Sequence, residues 1–177
     1  MKFIGIIFFS SLVFMHSAFA CSFGGVERFI PTLERWEEHP GPAQSDPNSD
    51  GEYWESVPAP VVKVSKITRG STGAGHSCSD AGTITLEVTL PKESTYSLEE
   101  FGVYFRVLSG KEPDLIFPDI PLTGQIKDDK ATFFFAWLDG HPSKQISMNL
   151  EVDALFVTNS LNIGKSTRFN ISADKGQ

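Results

Sequence analysis

The 177-residue chain carries 15 basic and 22 acidic residues, a formal charge of −7, with no cluster of Lys and Arg. That balance excludes nucleic acid, anionic membrane surfaces and heparin-like polymers as partners, because each needs a concentrated positive footprint. With 40% hydrophobic residues and 15 Phe, the chain can bury one substantial core but not two large ones.

Lys2 precedes an apolar run from Phe3 to Phe14, too short to span a bilayer comfortably, and small residues follow at Ala18 and Ala20. Residues 1–20 read as a cleaved secretory signal, and no later stretch is apolar enough for a stop-transfer helix. The expected destination is the bacterial periplasm or the medium, with no transmembrane helix after cleavage. The mature chain then begins at Cys21, and the only other cysteine is Cys78. An even pair in an oxidising compartment is read first as one disulfide, Cys21 to Cys78, for which chain entropy gives about 4 kcal/mol. The alternative is a membrane-tethered lipoprotein acylated at Cys21. A cysteine directly after the cleavage point resembles the bacterial lipobox, although Ala18 and Phe19 stand where such boxes usually carry Leu and a small residue.

Residues 21–57 are expected to form an irregular N-terminal arm and linker. Val26, Phe29, Ile30, Leu33 and Trp36 repeat at helix-like spacing, but Pro31 interrupts them, leaving at most a short helix from about Pro31 to Glu38. A helix that short must dock on the body of the protein. From His39 to Pro60 turn formers dominate. Asp46, Asn48 and Asp50, followed by Gly51, match the first half of a calcium loop, in which alternate oxygens surround the ion. The twelfth position of that loop is Val57 rather than a bidentate carboxylate, and an ordinary linker has the same composition. Trp36, Tyr53 and Trp54 lie where no sheet requires them, which makes them the candidate partner contacts.

After Pro60 the apolar period becomes two. Val61 to Ile67 is the first predicted strand. Ile84, Leu86, Val88 and Leu90 then alternate with polar residues, as do Val103, Phe105 and Val107. A segment from Leu115 towards Ile126 is the fourth strand. Thr132 to Leu138 is apolar on both faces, as expected of a strand covered on each side or lying near the N-terminal segment. Ile146, Met148, Leu150 and Val152 form the next row, and Thr167, Phe169 and Ile171 the last. Turn formers fall between them at Gly70 to Gly75, Pro91 to Ser94, Gly110 to Pro113, Pro121 to Gly124, Asp139 to Pro142 and Asn159 to Gly164. Seven short strands without a long helical pattern predict an all-β, antiparallel two-sheet sandwich over residues 58–172, followed by a disordered tail at 173–177.

Pro58-Ala59-Pro60-Val61-Val62-Lys63-Val64 is similar to the proline-marked first strand of fibronectin type III domains, and Thr83-Ile84-Thr85-Leu86-Glu87-Val88 sits where their second strand lies. Leu150 to Ala154, the loop Thr158 to Gly164, and Lys165-Ser166-Thr167 resemble their last hairpin. Val88 stands where that family usually has a core Trp, and Met148 or Leu150 where it has a core Tyr. The resemblance to a fibronectin type III-like, immunoglobulin-like domain implies a binding or spacer module outside the cytoplasm, with no cofactor and no catalysis.

The chemistry-bearing residues are scattered. Gly75-His76-Ser77-Cys78-Ser79 resembles a nucleophile elbow, but the last glycine is missing and neither an apolar strand nor a helix flanks it. His39, His76 and His141 share no metal-ligand spacing. Glu99, Glu100, Asp128 and Asp129 sit in adjacent pairs beside loops, as solvated surface does. Phe133, Phe134, Phe135 and Trp137 offer either a sugar platform or, as is commoner on a central strand, core. No catalytic residue, metal site or cofactor is assigned. The expected function is a non-enzymatic binding or structural module whose partner is a protein or a glycan at the cell envelope. A small hydrolase using Ser77 or His76 and a calcium-binding protein are the alternatives.

Overall fold

Strand formation follows the alternation of the sequence. In the computed structural model, which describes residues 25–31, 57–71 and 78–176, eight strands succeed one another. They are β1 (Val26–Arg28), β2 (Val61–Thr68), β3 (Ala81–Thr89), β4 (Phe101–Ser109), β5 (Leu122–Lys127), β6 (Lys130–Leu138), β7 (Met148–Thr158) and β8 (Ile163–Ala173). A 3-10 turn, Leu98–Glu100, precedes β4. Ile84, Leu86 and Val88 are wholly buried on one face of β3, facing Phe133, Phe135 and Trp137 of β6 and Phe105 of β4. Phe105 meets the rings of Phe133 and Phe135 edge-on, at centroid distances of 5.2 and 5.6 Å, geometry that aromatic quadrupoles favour. Phe133, Phe135 and Trp137 of β6 are therefore core, while Phe134 points to the other face of the strand.

The chain is all-β, every strand pairing is antiparallel, and the hydrogen-bonded order is β2-β3-β6-β5-β4-β7-β8, with β1 beside β5. β5 joins the two halves. Leu122 pairs with Val103 of β4, and Gln125 to Lys127 pair with Thr132 to Lys130 of β6. The path curls until its ends, β2 and β8, lie side by side, so the sheet is nearly a barrel. That seam is fastened at both ends. At one, a side chain on Gly164 would strike Val57, whose own side chain is wholly buried. At the other, Arg69 donates to the carbonyls of Ala173 and Asp174.

Several local expectations change. The arm is not wholly irregular, because Val26–Arg28 pairs with Leu122 to Gly124. Phe29 is buried over Gly102, where any side chain would collide with its ring. Gly25 lies against Phe134, the outward aromatic of β6, which accounts for that strand being apolar on both faces. The segment Pro121 to Gly124, read as a turn, is mostly strand, because β1 and β4 supply hydrogen-bond partners that its composition could not announce. Its strand begins at Leu122 rather than near Leu115. Ala173, assigned to the tail, ends β8 buried, and the Gly176 N–H donates to Gln145. The expected helix from Pro31 to Glu38 lies outside the described residues beyond its first position.

Outside the main core, Tyr104, Leu155, Val157 and Leu161 form a second buried cluster, with Ile120 packed on it. The connection between β4 and β5 thus folds back over the outward face of β7, whose side chains are buried on both faces from Val152 to Thr158.

Candidate functional site

The two poles of the strand bundle handle polar groups differently. At the pole where β2 and β6 end, Arg69 and Asp139 have wholly buried side chains and pair bidentately along one guanidinium edge: Nε to Oδ2 at 2.8 Å and Nη2 to Oδ1 at 2.9 Å. The remaining guanidinium hydrogens go to the carbonyls of Ile146, Ala173 and Asp174. Asp139 also accepts from the Gly70 N–H at 2.8 Å and the Trp137 indole at 3.1 Å. Gln145 completes the plug by donating to the carbonyls of Gly70 and Gly140. The indole reaches Asp139 because it lies across Gly82, its register partner on β3, where a Cβ would come within 2.3 Å of the ring. Burial pushes the Asp139 carboxyl upward, but the hydrogen bonds from Arg69, Gly70 and Trp137 outweigh it and hold the group below its ordinary value. Asp139 is ionised and fully engaged.

The opposite pole carries two adjoining hollows. The β3–β4 connection, the tip of the β5–β6 hairpin and the end of β3 enclose a trough of about 550 Å³, lined by Leu90, Lys92, Ser94, Tyr96, Asp128 and Asp129 among others. A second hollow of about 360 Å³ shares Pro91, Ser94 and Tyr96 with it and adds Pro58, Glu93 and Thr95. The common wall is braced by its own hydrogen bonds. Ser94 N–H donates to Pro91 O at 2.9 Å, and Tyr96 N–H donates to Ser94 Oγ at 3.3 Å. Ser97 caps the 3-10 turn reciprocally with Glu100. The half-buried Tyr96 ring stands edge-on to Phe101, centroids 5.5 Å apart. Asp128 and Asp129 form the two-residue tip between β5 and β6 with φ of 52° and 56°, the left-handed pair that a type I′ hairpin requires.

The structure places few of the expected site residues. Cys21, Trp36, Asp46, Asn48, Asp50, Tyr53, Trp54, His39, His76 and Ser77 all lie outside the described residues. Cys78 stands in the turn before β3, at the plugged pole. His141 is exposed, with Nδ1 2.8 Å from Ser143 Oγ. Glu99 and Glu100 belong to the cap of the 3-10 turn rather than to a catalytic pair. Asp128 and Asp129 are exposed, as expected, but they border the trough. Among the described residues no three His, Cys, Asp or Glu side chains converge as a metal site would need. The Tyr104 phenol is pushed far above its ordinary value by burial and by the Asp119 carboxylate to which it donates, and it lines no part of the trough.

Sequence reading missed the ion pair at one pole and the meeting of turns at the other. Arg69-Gly70 and Asp139-Gly140 look like turn punctuation, and only the fold brings two strand ends 70 positions apart into one ion pair. Tyr96 carried a usable signal, being an aromatic inside a turn-forming stretch. Comparison with protein-family models, with curated proteins and with solved structures finds no match.

Proposed function

We propose that the chain is an exported, non-enzymatic binding or structural module, layered like an immunoglobulin domain, with the trough beside Tyr96 as its contact surface. The observation that carries this reading is the division of labour between the poles. The buried Arg69–Asp139 pair is consumed in holding strand ends together, whereas the trough is lined by polar side chains and walled by a braced connection. A concave, preorganised surface on a rigid frame is the usual setting for recognition.

Strand order supports the layering. Immunoglobulin constant-type domains place the first, second, fifth and fourth strands in one sheet and the third, sixth and seventh in the other. Counting from β2, the order β2-β3-β6-β5 followed by β4-β7-β8 has that sequence. Export rests on the leader ending at Ala20, and pairing of Cys21 with Cys78 on their being the only cysteines.

Two measurements test the proposal. Intact mass of the mature protein, with and without reduction and alkylation, is expected to show no alkylated thiol before reduction; an acyl mass at Cys21 would replace the disulfide with a lipid anchor. Amide NMR of the mature protein titrated with solubilised envelope glycans and envelope peptides is expected to shift residues 89–98 and 128–129. Silence in both fractions would remove the binding role.

A further inference from the structure

β1 is attached to a body that closes without it. The hydrogen-bonded order runs from β2 to β8 with β1 off that path, and β1 pairs with β5 alone. We infer that the seat of β1 is a strand-addition site that also takes the β1 of a second copy, so that two chains are linked by an exchanged arm, independently of the trough.

The seat is built for one pattern of side chains. Val26, Glu27 and Arg28 pair with Gly124, Thr123 and Leu122, and the Phe29 N–H donates to Pro121 O at 3.0 Å, so main-chain bonds set the register. Selectivity comes from three positions. Gly25 lies against Phe134, where a Cβ would come within 2.6 Å; Val26 packs on the core; and Phe29, 6% exposed, fills the space that Gly102 leaves. Glu27, Arg28 and Ile30 are exposed. Main-chain bonds combined with pockets for a few side chains are how strand-addition sites recognise a segment. A glycine inside a strand weakens it and marks a close approach, and Phe29 is what approaches Gly102. The fitting segment therefore reads small, aliphatic, two free positions, aromatic.

The segment shown to fit is β1 itself, and every copy carries one. The 25 residues from 32 to 56 join the arm to Val57 and extend to at most about 85 Å. A body of this size is about 35 Å across, so the arm can reach a neighbour's seat while its own body is unchanged. Contacts in cis and in trans are the same. What favours cis is the tether, which supplies an effective concentration of about 1 mM. Exchange takes over when copies are crowded to that level or fold side by side, and exchanging an identical element is a low-cost route to a dimer.

The test removes the advantage of cis. Phe29→Ala gives a chain with a vacant seat and no anchor. Gly102→Val gives a chain with an intact arm and a filled seat, since a Cβ there falls within 2.5 Å of the Phe29 ring. Full mature chains of both are mixed unfolded and reduced, refolded together at about 100 µM, well under the tether's effective concentration, and only then oxidised. Light scattering is expected to show a dimer in the mixture and monomers in either variant alone. In isotope-labelled Phe29→Ala, the amides of Gly102 and of Leu122 to Gly124 are expected to move towards their wild-type positions. Wild type mixed with Gly102→Val is expected to stay monomeric, because its own arm fills its seat. A synthetic peptide of residues 25–31 is a second donor that does not depend on the folding of Gly102→Val. It is expected to shift the same amides, whereas the peptide with Ala in place of Phe29 leaves them still. Monomers throughout, with no shift from the peptide, overturn the inference. A dimer that forms equally with wild type places the contact elsewhere and overturns it too. Peptide binding without a dimer from the two variants overturns the exchange, leaving a seat closed to a second copy.

Discussion

At one end of the molecule a guanidinium and a carboxylate are sealed from water with every polar hydrogen assigned. At the other, carboxylates, hydroxyls and a half-buried tyrosine line a hollow of about 550 Å³. The same β framework supports both, so the difference lies in what the connecting segments do. At the plugged pole they carry carbonyls to Arg69 from β8 and from the approach to β7, tying non-neighbouring strands together. At the trough they bond to themselves, through Ser94 and Ser97. Polar residues at the plug are joined across the fold, whereas those at the trough are held by bonds within their own turns.

The largest expected effect comes from breaking the plug on one side only. Asp139→Ala or Arg69→Ala leaves a buried charge without its partner and should cost about 3–5 kcal/mol, measured as a fall in the urea unfolding midpoint. Replacing both, as Arg69→Met with Asp139→Leu, should recover part of that loss, because no lone charge remains. A double variant no better than either single one would mean that the carbonyl and indole contacts, not the charges, hold this pole.

Acid should act on the same pole in a defined direction. Asp139 titrates below its ordinary value in the fold, so the unfolded chain binds that proton more readily. The stabilisation is complete above the usual carboxylate range and is lost as pH falls below about 4. The fall in unfolding free energy between pH 7 and pH 3 should therefore be steeper in the wild type than in Asp139→Asn. Equal slopes would place the acid sensitivity elsewhere.

A smaller effect probes how the plug is aimed. Gly82→Ala puts a methyl group into the Trp137 indole, 2.3 Å from its nearest atoms, so the ring must shift and its hydrogen bond to Asp139 lengthen. Overpacking of this kind costs about 1–3 kcal/mol. The indole N–H resonance should move with it, and a variant that keeps both midpoint and resonance would show that the ring has room to slide.

How much of this was legible depended on the range of the interaction. The alternation of Ile84, Leu86 and Val88 is dictated by a strand's own period, and β2, β3, β4, β6, β7 and β8 stand close to where alternation placed them. β1 and the first half of β5 were hidden, since Val26–Arg28 and Leu122 to Gly124 become strand only through each other and β4. Arg69 and Asp139 were hidden for the same reason in a stronger form, because neither has a sequence neighbour that reveals its partner. The trough was half visible. Pro91 to Ser94 and Asp128-Asp129 were correctly read as turns and surface, but their meeting beside Tyr96 depends on strand order.

The smallest expected effect lies at the open pole and separates conformational need from chemistry. Asp129 has φ of 56°, a region that an L side chain occupies at some cost and glycine occupies freely. Its side chain is exposed, so no burial is lost on removing it. Glycine's greater freedom in the unfolded chain opposes the gain, and the net is expected to be a rise in stability of about 0.5 kcal/mol or less for Asp129→Gly. Leu161, also in the left-handed region at φ 62°, would respond in the opposite sense, because its side chain is buried with Tyr104 and Leu155. If Asp129→Gly keeps the midpoint yet weakens the shifts that envelope glycans or peptides cause at the trough, the carboxylate belongs to the contact surface; if it lowers the midpoint, the hairpin tip is held by its side chain, and the two poles are less different than their burial implies.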